Sequence, residues 1–364
     1  MNRYSNPFPA GLALIANNGD IGGGEVMLLE MARLARGADV DVRVIAPKYP
    51  PEIVDAARAE GFIVLQFEGI TRLQQARSLR RLLRGSSDVL WCNGLAPALA
   101  TTGRRRRVAH IHQLPTWKHV ATARVAAIRA RCTLVPSQAM ADLLPTSRVM
   151  LNWTSPLEVT ARPDSQGSPM ILGYLGRITC AKGVDVLLQA LKILEDRKAG
   201  RFILRMAGDA RFAPSADSVA IDAALLPVVH LVEQLGWVDR ADFFCSIDLA
   251  VFPSTVREPF GLVAAEAMSA RVAFVVSDSG GLPEVAGPDH PFVARAGDPE
   301  SLADAIEAAS SFREADPDGF VGMLDNAAHR WADEFSPAAG RTRFLQILQE
   351  FGLVSITANE RPTV

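Results

Sequence analysis

The chain has 364 residues, of which 49% are hydrophobic and 21% are charged, as is typical of a soluble globular protein with full cores. This length predicts two domains. The cysteines at positions 92, 132, 180 and 245 lack C-x-x-C spacing, which excludes zinc and dithiol redox motifs and suits a reducing compartment. Apolar stretches are too short to span a bilayer, and the apolar run at 11–16 is predicted to be a first strand rather than a signal peptide.

The net charge of −2 conceals an uneven distribution along the chain. Residues 1–160 contain 20 Lys and Arg against 12 Asp and Glu, whereas the remainder contains 18 against 28. This asymmetry suggests that the first half faces something anionic. Nucleic acid, an anionic membrane surface and a phosphorylated acceptor all fit that description.

Apolar runs alternate with helical stretches through the first half. The strand at 11–16 leads into a glycine-rich loop at 17–25 and then a helix from Val26 to Leu34, an order that lets phosphate approach backbone N–H groups. The loop is not G-x-G-x-x-G and no Walker lysine follows it. Gly23 and Gly24 are the candidate ligand contacts in it. A parallel, doubly wound sheet is predicted from further apolar runs at 40–45, 63–67, 88–92, 108–112 and 132–136.

Two arginine-rich stretches account for much of the positive charge in this half. Thr71 to Arg84 is predicted to be a basic amphipathic helix, and two interpretations of it stay open: a surface helix that packs its leucines on the sheet, or contact with an anionic membrane surface. Four consecutive arginines at 104–107 are typical of a solvated loop and weakly support an anionic partner. Aromatic residues do not alternate with them, which argues against a single-stranded nucleic-acid groove.

The second half begins with a predicted strand at 170–175, followed by Gly176-Arg177 and by Lys182-Gly183 ahead of a helix. An arginine fork and a lysine point charge in one loop can neutralise a diphosphate. They would also stabilise the negative charge that develops as a glycosidic bond breaks. Another strand is predicted at 202–207, and a glycine turn follows at 236, after which Trp237 is expected to lie in the core.

The most informative stretch is Phe252 to Met268, with the sequence FPSTVREPFGLVAAEAM. It begins at the end of a predicted buried strand and continues through a loop into a helix that opens near Gly261. Glu258 precedes this helix and Glu266 lies inside it, while the helix N-terminus between them offers unpaired N–H groups and a positive dipole end. Two carboxylates around an anion site suit a nucleotide sugar, which has hydroxyls at both ends and phosphate in the middle.

This stretch resembles the Glu-x7-Glu signature of retaining, nucleotide-sugar-dependent glycosyltransferases of family 4 (group 1), which have the GT-B fold. The resemblance extends over nearly the whole chain. It implies two Rossmann-like, doubly wound α/β domains facing a central cleft: an N-terminal acceptor-binding domain at 1–158 and a C-terminal donor-binding domain at 159–340. A terminal helix at 341–352 would return to the first domain. Residues 155–168 are the predicted linker and 356–364 a predicted loose tail.

The resemblance also implies roles for the candidate residues. Glu258 would bind sugar hydroxyls and Glu266 the ribose hydroxyls. Arg177 and Lys182 would bind the leaving diphosphate. Backbone groups at Phe260, Gly261 and Leu262 would complete the anion site. Those at Gly236 and Val238 would meet the nucleotide base. Gly23 and Gly24 would line the loop near the diphosphate and acceptor.

His112 ends its predicted strand and is similar in position to the family histidine that faces the donor sugar. A lone histidine at a strand end is more often structural, and Gln113 replaces the aspartate that frequently follows in the family. His110 shares a face of the strand with His112, but no carboxylate partner is evident nearby, so no metal site is predicted. A second departure is Ala270-Arg271-Val272, where family members often have a small residue and glycine.

The implied activity is retaining transfer of a sugar from a UDP- or GDP-linked donor to a hydroxyl of a glycan, lipid-linked or small-molecule acceptor. The implied route is front-face attack, with the leaving diphosphate taking the acceptor proton. No metal or other cofactor and no nucleic acid is expected. The alternatives are another GT-B enzyme, such as a sugar-nucleotide epimerase, or a non-catalytic nucleotide-sugar-binding protein. The predicted location is the cytoplasm, with peripheral contact at the inner face of an anionic membrane left open.

Overall fold

The computed structural model describes residues 11–114, 116–159, 169–209 and 215–355. The chain divides into two compact units, of which the first runs to Asn152 and resumes at Ala338, while the second runs from Trp153 to Pro337. Part of the predicted linker, 160–168, and the predicted tail, 356–364, lie outside the described residues. The domain limits predicted from the sequence stay predictions.

The first unit is built on a parallel sheet. Within the described residues it contains β1 (Leu12–Ala16), β2 (Val42–Pro47), β3 (Ile63–Phe67), β4 (Val89–Asn93), β5 (Arg107–His110), β6 (Cys132–Val135) and β7 (Arg148–Val149). The strand order is β3-β2-β1-β4-β5-β6-β7, and Leu12 pairs with Val42 on one side and with Val89 on the other. The central strands β1 and β4 are buried along their whole length, as expected for continuous apolar runs covered by helices on both faces.

Helices alternate with these strands. They are α1 (Gly23–Gly37), α2 (Glu52–Ala59), α3 (Arg72–Leu82), α4 (Leu95–Ala100), α5 (Trp117–Ala127) and α6 (Gln138–Leu143). The basic helix α3 begins with a capping box, in which the side chains of Thr71 and Gln74 each accept a hydrogen bond from the backbone N–H of the other residue. Leu79 and Leu83 are buried against the sheet, as the packing interpretation of this helix predicts, whereas Leu73 and Leu82 are exposed.

The second unit has its own parallel sheet. Its strands, among the residues described, are β8 (Met170–Leu175), β9 (Phe202–Ala207), β10 (Val232–Gly236), β11 (Leu249–Phe252), β12 (Ala273–Ser277) and β13 (Val293–Ala294), in the order β10-β9-β8-β11-β12-β13. In both sheets the chain order reverses at the centre, between β1 and β4 and between β8 and β11. The predicted architecture of two Rossmann-like, doubly wound α/β domains is confirmed.

The helices of the second unit cover both faces of this sheet. They are α7 (Val184–Arg197), α8 (Ser215–Leu225), α9 (Arg240–Ser246), α10 (Leu262–Ser269), α11 (Leu282–Ala286), α12 (Pro299–Ala315) and α13 (Pro317–Arg330), with 3₁₀ turns at Cys180–Lys182 and Leu226–Leu231 and a π-helical turn at Trp331–Phe335. The predicted cap at Asp298 is confirmed, because its Oδ1 accepts a hydrogen bond from the N–H of Ser301 at 3.0 Å. No helix in the described part of the chain is long and apolar enough to cross a membrane.

The last helix, α14 (Pro337–Glu350), belongs almost entirely to the first unit. Its Phe344 is fully buried and packs edge-on against Trp91 of β4, with ring centroids 5.1 Å apart. Glu350 near its end forms an ion pair with Arg148 at 2.8 Å. Segments from both halves of the sequence thus contribute to one core.

The prediction of a solvated arginine run at 104–107 is wrong for Arg107, which begins β5 and is completely buried. Its guanidinium donates to the backbone carbonyls of Ala98 at 3.1 Å and Ile128 at 2.7 Å, and also to those of Arg104 and Ala126. Burial lowers the pKa of this guanidinium, which is bound by carbonyl oxygens rather than by a carboxylate. A buried cation is acceptable here because all three guanidinium nitrogens have acceptors.

We expect Arg107→Ala to lower the free energy of unfolding by about 3 kcal/mol, since it leaves several buried carbonyls without donors. The exposed neighbour Arg105 provides the control, and Arg105→Ala should change stability by less than about 0.5 kcal/mol. Urea denaturation of both variants measures the difference. Equal stabilities would contradict the structural role of Arg107.

Candidate active site

The carboxyl ends of β8 and β11 meet where the chain order of the second sheet reverses. Ligands of open α/β sheets bind in the crevice at such a switch point. The loop after β8 brings Lys182 there, and the loop after β11 brings Glu258. Lys182 Nζ lies 2.5 Å from Glu258 Oε2, and Ser254 Oγ donates to the same oxygen at 3.0 Å. The structure thus brings together two predicted site residues that are 76 positions apart.

Direct backbone contacts hold these two loops against each other. The N–H of Thr255 donates to the carbonyl of Ala181 at 3.1 Å, and its hydroxyl donates to the carbonyl of Cys180 at 2.8 Å. Gly183 has a left-handed backbone with φ of 74°, and a Cβ there would lie only 1.9 Å from the carbonyl oxygen of Pro253. Position 183 therefore requires glycine for its conformation and for the close approach of the loops.

Arg177 lies in the loop after β8 and is exposed. Its backbone carbonyl accepts a hydrogen bond from the Tyr174 hydroxyl at 2.5 Å. Burial raises the pKa of Tyr174, so this hydroxyl stays protonated and remains a donor. The Arg177 guanidinium has no hydrogen bond or ion pair with the residues that the structure describes, so its charge is available to an anion.

Glu266 lies in α10 and is only 2% exposed. Arg240, the first residue of α9, donates from Nη1 to Glu266 Oε1, whereas Oε2 is buried and has no hydrogen-bond partner in the described part of the protein. Burial raises the pKa of Glu266 to about 7, and the charge and hydrogen bond of Arg240 act in the opposite direction. Sequence reasoning missed Arg240. The available signal was Asp239, a capping residue type that places Arg240 in a first helical turn.

The segment from Phe260 to Leu262 forms the start of α10. Gly261 is the N-cap, with a left-handed φ of 107°, and Leu262 is the first helical residue. The Phe260 side chain is buried and packs edge-on against Phe335, with ring centroids 5.5 Å apart. The side chain of Phe260 therefore belongs to the core, and only the backbone of this segment is free to meet an anion at the helix start.

Gly236 ends β10, and its carbonyl accepts a hydrogen bond from the N–H of Gly208 at 2.8 Å. Val238 follows it as a half-buried residue. The prediction that Trp237 lies in the core is wrong, because the residue is 80% exposed. Its indole Nε1 donates to Asp209 Oδ2 at 3.3 Å, so a polar contact between two loops holds the ring at the surface.

In the first unit, the last residue of β4 meets residues that follow β1 and β5. Asn93 Nδ2 donates to the carbonyl of Gly24 at 2.7 Å, and Asn93 Oδ1 lies 2.7 Å from His112 Nε2. Because the amide nitrogen faces a carbonyl, the amide oxygen faces the ring, and this arrangement assigns the imidazole proton to Nε2. Burial lowers the pKa of His112 to about 4, so the ring is neutral at pH 7 with its lone pair on Nδ1.

Gly23 and Gly24 lie in the first turn of α1, and not in the preceding loop as predicted. Gly22 is the N-cap, so the helix starts three residues earlier than the predicted Val26. The reason is Glu25, which occupies the third helical position and accepts a hydrogen bond from the N–H of Asn18 at 3.3 Å. Burial raises the pKa of Glu25 to about 7. Sequence reasoning missed this carboxyl, although a glutamate at that position is a helix-start signal.

A metal-binding cluster is not evident in this part of the protein. Among the described residues, no group of three or more His, Cys, Asp or Glu side chains is arranged to hold a metal ion. His110 is fully buried beside His112, with ring centroids 4.0 Å apart, and its ring nitrogens have no hydrogen-bond partner among those residues.

Two protein-family models match this chain. The model "Glycosyltransferase Family 4" matches residues 21–149, and the model "Glycosyl transferases group 1" matches residues 169–311. The chain belongs to the family 4, group 1 glycosyltransferases. The matched ranges contain the convergent residues of both units.

Curated relatives of this glycosyltransferase-family chain match parts of it. An uncharacterized glycosyltransferase of Methanocaldococcus jannaschii is 32% identical over 140 residues, which are 38% of this chain and 34% of that protein. The D-inositol 3-phosphate glycosyltransferase of Saccharomonospora viridis is 28% identical over 201 residues, 50% of this chain and 43% of the relative. The match spans about a third of the length of the first of these relatives.

Solved structures share the fold. HepE of Anabaena in complex with UDP-glucose superposes with a TM-score of 0.78 at 20% identity, over 93% of this chain and 99% of the other. Sucrose-phosphate synthase from Thermosynechococcus elongatus has a TM-score of 0.76 at 18% identity, over 95% and 100% of the two chains. At these identities the likeness establishes the GT-B fold alone.

The loop contact at Gly183 gives a test of the switch-point geometry. Gly200 is the matched control, since it has a similar φ of 70° but a Cβ added there would meet no other group within 4 Å. Gly200→Ala should cost about 1 kcal/mol of unfolding free energy from backbone strain alone. Gly183→Ala should cost about 2 kcal/mol more, because the Pro253 carbonyl must move. Equal losses in urea denaturation would contradict the close contact.

Proposed function

We propose that this protein transfers a sugar from a nucleotide-sugar donor to an acceptor hydroxyl with retention of anomeric configuration. The observation that carries the proposal is the convergence of Lys182, Ser254 and Glu258 at a switch point, in the same unit as the unpaired guanidinium of Arg177. A cation–carboxylate pair suits a ligand that has both a diphosphate and sugar hydroxyls. Membership in the family 4, group 1 glycosyltransferases supports this interpretation.

The proposed reaction is a front-face substitution. The bond from the anomeric carbon to the diphosphate oxygen breaks, and its electron pair leaves with the diphosphate. The acceptor oxygen forms the new bond on the same face, and its proton passes to the leaving phosphate oxygen. Arg177 and Lys182 stabilise the negative charge on the leaving group, which removes the need for a metal ion in this proposal. Glu258 binds sugar hydroxyls and thereby orients the anomeric carbon.

The other candidate residues position the two substrates in this proposal. Neutral His112 offers its Nδ1 lone pair to a hydroxyl of the transferred sugar, and the first turn of α1 at Gly23 and Gly24 lies near the diphosphate and acceptor. Glu266 binds the ribose hydroxyls. Backbone groups at the start of α10, at Phe260, Gly261 and Leu262, bind phosphate. Backbone groups at Gly236 and Val238, at the end of β10 and in the turn after it, meet the base.

UDP- and GDP-linked donors both fit the proposal, and the acceptor is a glycan, lipid-linked or small-molecule hydroxyl. UDP is the first donor to test, because the structure of HepE was determined with UDP-glucose. The positive surplus in residues 1–160 favours an anionic acceptor. The relatives named D-inositol 3-phosphate glycosyltransferases support the same preference.

Arg177→Ala tests the proposed leaving-group role. We expect it to slow donor cleavage in the presence of acceptor candidates, or donor hydrolysis in their absence, by about 100-fold, because it removes a charge aimed at the diphosphate. The control is Lys198→Ala, an exposed residue at the end of α7.

Thermal denaturation with UDP, GDP and ADP, each with and without magnesium and with chelator, identifies the donor class, since a ligand at 100 times its dissociation constant stabilises the folded protein by about 2.7 kcal/mol.

Unchanged turnover in Arg177→Ala would contradict the proposed mechanism. Stabilisation by a nucleotide without transfer or hydrolysis of any donor would instead favour the non-catalytic alternative. Loss of activity with chelator would contradict the proposed metal independence.

We also propose peripheral contact with an anionic lipid surface, at the inner face of a membrane, through α3. Arg72 and Arg80 donate to backbone carbonyls of Asn17 and Ala100, at 3.0 and 2.7 Å, and so have internal partners. The other arginines of this stretch are exposed, as are Ile70, which is 97% exposed, and Leu73, which is 59% exposed. Exposed cations beside exposed apolar side chains suit an anionic bilayer surface. The arginines are Arg77, Arg81 and Arg84.

The double variant Arg77→Gln/Arg81→Gln should release the protein from phosphatidylglycerol vesicles in a sedimentation assay, since each basic residue near such a surface contributes about 1 kcal/mol. Arg124→Gln, a change at an exposed arginine of α5, serves as the control. Binding that is equal on phosphatidylcholine vesicles, or unchanged in the double variant, would contradict the membrane proposal. An anionic acceptor would then be the partner that the positive charge of α3 favours.

A further inference from the structure

The two oxygens of the Glu266 carboxylate have different surroundings. Oε1 accepts from Arg240 Nη1, and Oε2 is buried without a hydrogen-bond partner in the described residues. A buried acceptor without a donor is costly, so an unpartnered oxygen in a native protein calls for an explanation. By contrast, the buried Ser277 of the same unit is satisfied, since its hydroxyl donates to the carbonyl of Ser254 at 2.7 Å.

Arg240 reaches this carboxylate from outside. Its side chain is 49% exposed, whereas that of Glu266 is 3% exposed. Its backbone is fixed by the N-cap of α9, where Asp239 Oδ1 accepts from the N–H groups of Ala241 and Asp242 at 2.8 and 3.2 Å. An anchored helix start thus directs one cation at one oxygen of a buried carboxylate.

The charge state of Glu266 depends on this contact. Burial alone favours the protonated carboxyl, and Arg240 supplies the opposing interaction. An ionised carboxylate only accepts hydrogen bonds, whereas a protonated carboxyl also donates one and is the poorer acceptor. Arg240 therefore favours the form that can accept from a hydroxyl-bearing ligand.

Other charges around α10 are directed elsewhere. The helix packs against β11, β12, α11, α13 and the Trp331–Phe335 turn. Neither strand has a charged residue, and of the charged groups that the helices and the turn bring, none acts on Glu266 as Arg240 does. Those groups include the pairs Arg271–Asp325 and Arg330–Glu334, together with Glu284, Asp318, His329 and Asp333.

We propose that Arg240 is a positioning residue that holds Glu266 ionised and leaves its Oε2 as the acceptor for a ribose hydroxyl of the bound nucleotide. This inference rests on the proposed function, from which the ribose role of Glu266 comes. With Oε1 occupied by Nη1, Oε2 is the carboxylate oxygen whose lone pairs have no partner in the described residues. A ribose hydroxyl that donates to Oε2 then supplies the hydrogen bond that this buried oxygen lacks among the described residues.

The test is the pH dependence of UDP-glucose binding, measured by calorimetry from about pH 6 to about pH 8.5. The diphosphate of this probe is a diester with no proton to lose in that range, so a titration in its affinity belongs to the protein. If UDP-glucose does not bind, GDP-mannose takes its place as the probe. For the wild-type protein, affinity should fall as pH drops through the Glu266 pKa of about 7, because the protonated carboxyl is the poorer acceptor.

Arg240→Gln should move the midpoint of this titration to higher pH, since burial then acts on Glu266 without an opposing cation. At pH 7 its affinity should be about tenfold weaker, the value of one charge-assisted hydrogen bond, and should recover as pH rises. Arg240→Lys retains the charge and should keep a midpoint near that of the wild type. Glu266→Gln should bind weakly at every pH.

The double variant Arg240→Gln/Glu266→Gln separates positioning from direct contact. If Arg240 acts through Glu266, the double variant binds no more weakly than Glu266→Gln. A further loss would show that Arg240 contacts the nucleotide itself and would overturn the positioning role. An unchanged pH midpoint in Arg240→Gln would overturn it as well, with the proposed function left standing. Failure of both nucleotide sugars to bind the folded wild-type protein would overturn the proposed function and this inference together.

Discussion

The close backbone contact between the loops after β8 and β11 is the constraint on which the donor-side residues depend. Parallel neighbouring strands end at the same edge of the sheet, but that alone leaves loops free to diverge. Here the absence of a side chain at position 183 lets one loop rest on the carbonyl of Pro253. Lys182 and Glu258 are each anchored next to this contact. Their ion pair is therefore a result of backbone packing, and the side chains do not have to hold the loops together.

Buried ionisable groups in the two units are compensated in different ways. Arg107 lies in the core, and all three nitrogens of its guanidinium donate to carbonyl oxygens. Glu25 and Glu266 are compensated only partly, and burial raises the pKa of both to about 7. Each of these carboxyls lies at a helix that follows a central strand of its sheet. Hydrogen bonding to carbonyls accompanies a structural role at Arg107, and partial compensation is found at Glu266, whose proposed role is to bind a ribose hydroxyl.

Sequence patterns predicted what depends on neighbours in the chain and missed what depends on contacts through space. The parallel sheet of the first unit followed from alternating apolar runs, and the strands β8 and β9 were predicted at their observed limits. Lys182 was predicted as a site residue because an arginine and a lysine in one loop can neutralise a diphosphate, and Glu258 because the stretch around it resembles the Glu-x7-Glu signature. Arg240 and Asn93 were missed, since only the fold brings them to Glu266 and His112. Trp237 was assigned to the core because hydrophobicity says nothing of the Asp209 carboxylate that binds its indole at the surface.

The hydrogen bonds of Arg72 connect the basic helix to the loop after β1. Its guanidinium donates to the carbonyl of Asn17 and to Oδ1 of Asn18, at 3.0 and 2.9 Å. An anion bound to this guanidinium would compete with both contacts, so anion binding at Arg72 and the conformation of the loop would be thermodynamically linked. Such linkage is reciprocal. A ligand that orders the loop would then lower the affinity for an anion at Arg72 by the same factor by which that anion lowers the affinity for the ligand. Binding of either one would favour release of the other.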